Sequence, residues 1–200
     1  MNPYTLTLLR HGEIDHEGRL IGSSDLPLNA AGHMQMAQSW QRICALAPVT
    51  AMASSPLQRC REFAVRHALH GSLTLKVDPR FEEMDFGDWD GMDVQVLAQR
   101  YPDWRAKLAA GELTPPGGEP YEAFRTRVLA GLSEWMTTAN GSHRVLVTHG
   151  GVITTLLAEL LGTDFSVAKL MTVQRGGFAQ LSILEGHPAY LMRLEAPCAD

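Results

Sequence analysis

The sequence predicts an α/β fold, a three-layer sandwich in which helices flank a mostly parallel central sheet. One observation favours this class, and a second indicates a globular protein. Short apolar runs alternate with longer segments of helical periodicity along most of the chain. The composition, with 45% hydrophobic and 20% charged residues, is typical of a soluble globular protein with a buried core. We expect one domain over residues 1–200, with a cap-like middle segment at about 88–120.

In the first half of the chain, three short apolar runs predict strands at 5–9, 49–54 and 73–77. The segments between them predict helices at 28–47 and 55–69. Asn29 is the predicted N-cap of the first helix. The second helix begins with SSPLQ, in which Ser55 would be the N-cap and Gln58 would close a capping box.

The second half of the chain continues this alternation. Helices are predicted at 93–99, 119–136 and 151–162, and a strand is predicted at 144–148. The helix at 119–136 carries apolar residues at helical spacing, at positions 124, 128, 132 and 135. FAQLSIL and AYLMRLE predict two closing strands that are joined by the turn EGHP.

Charge and apolar patterning exclude several classes of partner. The net charge is −5 and there is no basic run that would track a nucleic acid, so locally placed cations would have to bind any anion. No apolar run reaches the roughly 18 residues of a membrane span. The N-terminus MNPYTLTLLRHGE lacks the features of a secretory signal. Three scattered cysteines favour reduced thiols in the cytoplasm: Cys44, Cys60 and Cys198.

Four basic side chains fall near strand ends. Arg10 and His11 follow the first strand, and His149 follows the fourth. Arg59 lies in the first turns of the helix after the second strand. The carboxyl ends of parallel strands meet at one edge, so these side chains converge there, and Gly150 lets a ligand approach the backbone. Because arginine matches phosphate oxygens, the simplest ligand is a phosphate group.

These residue types suit hydrolysis of a phosphate monoester. Neutral His11 would attack phosphorus, and water would then attack the resulting phosphohistidine. The other ring nitrogen would need an acceptor such as a backbone carbonyl. Arg10 and Arg59 would hold the transferring group, and His149 would donate a further hydrogen bond to its oxygens.

A proton donor for the leaving oxygen is expected in FEEMDFGDWDG, residues 81–91. Apolar neighbours and like charges both raise a carboxyl pKa, as a general acid requires. A solvated acidic loop with aromatic anchors is the alternative interpretation. The carboxyl candidates are Glu82, Glu83, Asp85, Asp88 and Asp90.

Four ordered motifs resemble those of the histidine phosphatase superfamily, in its phosphoglycerate-mutase-like branch. They are LLRHGE, SSPLQRC, FEEMDFGDWDGM and VLVTHGGVI. The resemblance implies a phosphoglycerate-mutase-like fold, a phosphohistidine intermediate, a small-molecule phosphomonoester substrate and no metal or organic cofactor. Within this branch the motifs are most similar to those of alpha-ribazole phosphatases, which remove a phosphate during cobalamin assembly.

The resemblance also implies roles for single residues. His11 looks like the phosphorylated nucleophile, and His149 looks like the second histidine of the pocket. Arg10 and Arg59 look like the phosphate-binding arginines. The acid of the family stands four residues before the glycine of an aromatic-glycine pair, which here makes it Glu83.

Two positions are less settled by the resemblance. Glu82 is the fallback for the acid. Many members carry a phosphate-contacting asparagine after RHGE, whereas RHGEIDHEGRLIG has none. His16 or a backbone N–H would take its place. Trp104 and Tyr101, in the middle segment, would wall the mouth of the substrate site.

Other functions remain open. A phosphoglycerate-mutase-type phosphotransferase is the runner-up, although the short stretch between Glu83 and His149 favours a phosphatase. A broad-specificity phosphatase, a non-catalytic phosphate-binding module and a metalloenzyme are further alternatives, and the histidines show no paired metal-ligand spacing. The remaining histidines are predicted at the surface: His33, His67, His70, His143 and His187.

Overall fold

The computed structural model describes residues 3–197. A six-stranded sheet lies at its centre in the order β3-β2-β4-β1-β5-β6. The strands are β1 (Tyr4–Arg10), β2 (Ala51–Ser54), β3 (Thr74–Val77), β4 (His143–Thr148), β5 (Phe178–Ile183) and β6 (Tyr190–Glu195). The helices are α1 (Ala30–Leu46), α2 (Gln58–Gly71), α3 (Val94–Arg100), α4 (Trp104–Ala109), α5 (Tyr121–Thr138), α6 (Gly150–Leu161) and α7 (Phe165–Ala168). Short 3₁₀ turns lie at Pro79–Phe81 and Gly87–Trp89.

The strand directions make this a mixed sheet that is mostly parallel. β1 to β4 pair in parallel, whereas β5 runs antiparallel to both of its neighbours, β1 and β6. Helices cover both faces of the sheet, so the predicted α/β fold is confirmed. The helices α4 and α7 were absent from the sequence-based expectation, since both are shorter than two turns.

Side chains of the strands alternate between two hydrophobic layers, as a strand requires. Leu8 packs with residues of α5 and α6, whereas Leu9 packs with residues of α1 and α2. Trp104 and Leu108 of α4 join the first of these layers. Residues 88–120 therefore lie on the same side of the sheet as α5 and α6.

The register of the parallel strands aligns the segments that follow them. Arg10 pairs with Thr148, and Ser54 pairs with Val147. The amide of His11 donates to the carbonyl of Thr148 over 2.9 Å. The chain therefore leaves β1, β2 and β4 at one edge of the sheet, and the first residues beyond these strands are neighbours.

The predicted capping box of the second helix is wrong. α2 begins at Gln58, and Leu57 at its N-cap position makes no side-chain capping bond. Asp25 from a distant loop caps the helix instead, because its Oδ1 accepts from the amide of Gln58 over 2.6 Å. Ser55 accepts weakly from the amide of Leu57 over 3.3 Å, and its hydroxyl also contacts His149.

His143 is buried, which corrects its prediction as a surface residue. It opens β4 with an exposure of 1%. Its Nε2 lies 2.9 Å from the hydroxyl of Thr7, and its Nδ1 lies 3.1 Å from the carbonyl of Ala47. A polar residue is tolerated there because both ring nitrogens have partners.

The thiols of Cys44 and Cys60 are free, with Cys44 exposed and Cys60 buried, whereas Cys198 lies outside the described residues. No helix among residues 3–197 is long and apolar enough to cross a membrane.

Candidate active site

His11 lies immediately beyond β1 and is only 5% exposed. Its Nδ1 donates to the carbonyl of Gly12 over 2.8 Å, which leaves the lone pair on Nε2. Burial, followed by the charges of Arg59 and Arg10, lowers the pKa of His11 well below its usual value. The ring is therefore neutral near neutral pH, which is the form that a nucleophile needs.

His149 follows β4 and is fully buried beside His11, with their ring centroids 5.2 Å apart. Its Nδ1 accepts from Nε of Arg59 over 3.3 Å, so the ring proton is on Nε2. That N–H points to the hydroxyl of Ser55 at 2.8 Å. Burial, and then the charge of Arg59, lowers the pKa of His149. Donation from His149 to a ligand would require exchange of one of these bonds.

Arg59 projects from the first turn of α2 into the interior and is 1% exposed. Its Nη1 donates to the carbonyl of Ser24 over 2.6 Å, and its Nη2 donates to the carbonyl of Gly22 over 2.7 Å. Asp90 holds this loop, because its carboxylate accepts from the amides of both residues over 3.0 and 2.7 Å. Each terminal nitrogen of Arg59 keeps a second N–H for another acceptor.

Arg10 lies across the N-terminus of α6. Its Nη1 donates to the carbonyl of Val173 over 2.8 Å, whereas its Nε is buried and has no partner in residues 3–197. A Cβ at Gly150 would lie 3.0 Å from the guanidinium carbon of Arg10. The space beside Gly150 is therefore filled by Arg10, and the amide of Gly150 occupies the first turn, where helices have no internal acceptor.

Glu83 faces the same helix N-terminus. Its Oε2 accepts from the amide of Gly151 over 3.0 Å, and its Oε1 accepts from the amide of Met84 over 3.1 Å. Glu83 lines the same cavity as Arg10 and Gly150, whereas Glu82 is absent from its lining. Burial raises the pKa of Glu82.

Arg127 of α5 fixes the backbone of the loop that carries the acid. Its guanidinium donates to the carbonyls of Arg80, Glu82 and Glu83 over 2.9 to 3.0 Å. It also forms an ion pair with Glu119 at 2.5 Å. The backbone of this loop is therefore held by the partly buried guanidinium of Arg127, in contrast to the solvated acidic loop of the alternative interpretation.

A cavity of about 260 Å³ extends from this edge of the sheet. Its lining includes Arg10, Glu83, Gly150 and Gly151. Aromatic side chains supply much of the remaining wall: Phe86, Trp104, Tyr121, Phe124 and Phe165. Two cations, Arg105 and Lys169, also line it. Tyr101, expected at the mouth, packs instead against Trp89 with ring centroids 4.9 Å apart.

His16 contacts Arg175, a residue that the sequence did not identify as part of the site. Its Nε2 is 2.7 Å from Nη1 of Arg175, which also forms an ion pair with Glu13 at 3.0 Å. Arg175 precedes β5, and because that strand is reversed, its start lies at the edge where β1 ends. An antiparallel assignment of β5 would have located Arg175 from the sequence.

In the described part of the chain, no group of three or more His, Cys, Asp or Glu side chains is arranged to hold a metal ion. The site instead combines buried cations, neutral imidazoles, a carboxyl group and helix-terminal amides. Such a set can bind an anion, attack it with a lone pair and transfer a proton.

Residues 6–194 match the histidine phosphatase superfamily (branch 1). The bifunctional protein Rv2228c of Mycobacterium tuberculosis is 32% identical over 186 residues, which are 92% of this chain and 50% of the relative. The chain thus spans about half the length of the first curated relatives it matches.

Two solved structures share the whole architecture. A mycobacterial glucosyl-3-phosphoglycerate phosphatase superposes with a TM-score of 0.84 at 25% identity, covering 98% of this chain and 100% of the other. The alpha-ribazole phosphatase of Shigella flexneri gives a TM-score of 0.79 at 26% identity, covering 98% and 99%.

Proposed function

Because this chain belongs to branch 1 of the histidine phosphatase superfamily, we propose that it is a phosphatase that hydrolyses a small-molecule phosphomonoester through a phosphohistidine on His11. The observation that carries the proposal is the hydrogen bond from Nδ1 of His11 to the carbonyl of Gly12. It keeps Nε2 unprotonated, and the nearby guanidiniums of Arg10 and Arg59 would bind a phosphate dianion.

In the first step, the phosphate of the substrate lies against Arg10 and Arg59 and the amide of Gly150. Nε2 of His11 attacks phosphorus, and the bond from phosphorus to the ester oxygen breaks. Glu83 acts as the general acid and gives a proton to that oxygen, so the leaving group departs as an alcohol. The phosphorylated ring keeps its proton on Nδ1, and this N–H still donates to the carbonyl of Gly12.

In the second step, a water molecule attacks the phosphohistidine. Glu83, now a carboxylate, takes a proton from this water, and the electron pair of the nitrogen–phosphorus bond returns to His11. Inorganic phosphate then leaves. His149 adds a hydrogen bond to the phosphoryl oxygens in this scheme, which requires release of its N–H from Ser55.

The aromatic wall of the cavity indicates a flat, apolar leaving group. We propose alpha-ribazole 5′-phosphate, an intermediate of cobalamin biosynthesis, as the substrate, with residues 88–120 of one domain acting as a cap over the base. The similarity to the Shigella phosphatase supports this choice. The unpaired thiols of Cys44 and Cys60 fit a reducing cytoplasm.

A panel of phosphomonoesters tests the substrate. We expect kcat/KM for alpha-ribazole 5′-phosphate to exceed that for p-nitrophenyl phosphate, and Trp104→Ala to reduce only the former strongly. Equal turnover of the two esters would contradict the substrate assignment but not the mechanism.

Trapping of the intermediate tests the mechanism. Wild-type protein quenched during turnover should carry an acid-labile phosphate, and His11→Ala should carry none and be inactive. Tight phosphate binding without any labelling would instead identify a non-catalytic phosphate-binding module.

Arg105 and Lys169 favour a second candidate. Neither cation has a carboxylate partner within residues 3–197, and Arg105 lies over the ring of Trp104 at 4.3 Å. Unpaired cations in a substrate cavity suit a leaving group that carries another anion, as phosphoglycerates do. Preference for 3-phosphoglycerate, with mutase activity or without it, would support this candidate, and Lys169→Gln should remove that preference.

A further inference from the structure

Arg175 is tied to the backbone that carries the nucleophile. The amide of the adjacent Gly176 donates to the carbonyl of His11 over 2.9 Å. The amide of Arg10 donates to the carbonyl of Gly177 over 3.0 Å. The segment 175–177 is therefore hydrogen-bonded directly to residues 10 and 11. The backbone of Arg175 consequently lies close to the backbone of the nucleophile.

The side chain of Arg175 is held at one nitrogen. Its Nη1 donates to Oε2 of Glu13 over 3.0 Å and lies 2.7 Å from Nε2 of His16. Its Nε is buried and has no partner in the described part of the chain. In a guanidinium, Nε and one terminal nitrogen form a fork that matches two phosphate oxygens. The contacts of Nη1 leave the Nε side of that fork open.

Arg10 presents the same arrangement. Its Nη1 donates to the carbonyl of Val173, and its buried Nε also has no partner among residues 3–197. Burial first, and then the charge of Arg175, lowers the pKa of Arg10, and Arg175 also contributes to the lowered pKa of His11. Two neighbouring guanidiniums therefore each hold an unsatisfied buried donor beside the nucleophile, and a bound anion would relieve both the repulsion and the missing bonds.

We propose that Arg175 is a third phosphate-binding residue of this site, and that Glu13 and His16 position its side chain. The inference rests on the proposed function in that the anion is the phosphate of a phosphomonoester. Glu13 and His16 act through Arg175 and touch no substrate atom. With Arg10 and Arg59, Arg175 places three cations around one dianion, which favours dianionic over monoanionic oxyanions.

Calorimetric titration with inorganic phosphate at neutral pH tests this without turnover. Arg175→Gln should raise the Kd of phosphate by roughly 10- to 100-fold, as expected for loss of charge-assisted hydrogen bonds. Arg175→Lys should recover only part of this, because lysine lacks the fork. Arg193→Ala, which removes the same charge from the exposed face of β6, should leave Kd unchanged within a factor of about two.

A double-mutant cycle tests the positioning role. Glu13→Gln should raise the Kd of phosphate several-fold in the wild-type background and have no effect in the Arg175→Gln background. Thermal unfolding of each variant shows whether it is folded, and Arg175→Lys remains informative if Arg175→Gln is not.

The outcomes separate this inference from the proposed function. Phosphate binding that depends on Arg175 in a protein without phosphatase activity would support the inference and contradict the function. An unchanged Kd and KM in Arg175→Gln, in a protein that hydrolyses phosphomonoesters, would overturn the inference alone. Wild-type protein that does not bind phosphate would overturn it as well.

Discussion

Gly151→Ala would displace the proposed acid without altering any titratable group. A Cβ at Gly151 would lie 2.4 Å from Oε1 of Glu83, whereas ordinary contacts begin near 3.4 Å. The carboxyl oxygen would therefore have to retreat by about 1 Å. The fold itself should tolerate the change, because alanine is favoured over glycine within a helix by about 0.5–1 kcal/mol.

A misplacement of this size costs on the order of 100-fold in rate where the displaced group takes part in the chemistry. We expect kcat/KM of Gly151→Ala to fall by about that factor for an alkyl phosphate, whose leaving oxygen needs a proton. For p-nitrophenyl phosphate, whose leaving group departs as a stable anion, the fall should be only a few-fold. Steady-state kinetics with both esters measure the difference.

The neighbouring glycine supplies a matched control. A Cβ at Gly150 would press on the guanidinium of Arg10, at 3.0 Å from its central carbon, and not on the acid. Gly150→Ala should therefore lower kcat/KM for both esters by the same factor, because it raises the KM of each. If Gly151→Ala also lowered kcat/KM equally for the two esters, Glu83 would not be the proton donor and the reasoning would be refuted.

Three further predictions concern the supports of the site and the buried histidines. Asp90→Ala removes the carboxylate that holds the loop whose carbonyls accept from Arg59. The KM should therefore rise several-fold and the Tm should fall, as measured by steady-state kinetics and thermal unfolding. Arg127→Met removes the donor to three backbone carbonyls of the loop that carries Glu83. Urea unfolding should therefore show a free energy of unfolding lower by about 2–4 kcal/mol, and kcat should fall. Burial lowers the pKa of His143 from 6.5, so the unfolded state binds more protons as the pH falls below 6.5, and the free energy of unfolding should decrease in that range. His143→Gln should flatten this dependence relative to His187→Gln, an exposed control, when urea unfolding is compared one pH unit above and below 6.5.

Most of the site lies just beyond strand ends, and the order and direction of the parallel strands are expressed in the sequence. Short apolar runs mark the strands, and parallel strands bring their carboxyl ends together. Arg10, His11 and His149 follow from that rule alone, and Arg59 follows because the first turn of a helix stays near the strand that precedes it. The structure brings all four together with Glu83 at one edge of the sheet.

Local sequence patterns mislead where a contact with a distant residue competes with them. SSPLQ has the letters of a capping box, yet the hydroxyl of Ser55 bonds to His149 and the helix starts three residues later. A partner 94 positions away cannot be read from a five-residue motif. Arg175 was missed for a related reason, because its place depends on the direction of β5, which a run of apolar residues does not specify.

The partners of Arg10 and Arg59 explain why the site remains strongly cationic. Within residues 3–197, no carboxylate forms an ion pair with Arg10 or Arg59, and both instead donate to backbone carbonyls. A carboxylate would neutralise the charge and compete with phosphate for the same N–H groups, whereas a carbonyl fixes the geometry and leaves the charge in place. Burying such charges costs stability, since neutral acceptors compensate desolvation incompletely. Asp90 lowers that cost indirectly, because it stabilises the loop that supplies the carbonyls and not the guanidinium itself. Burial is the first cause of the lowered pKa of His11, and the charges of Arg59 and Arg10 lower it further. The cations that would bind the anion therefore also favour the neutral form of the nucleophile.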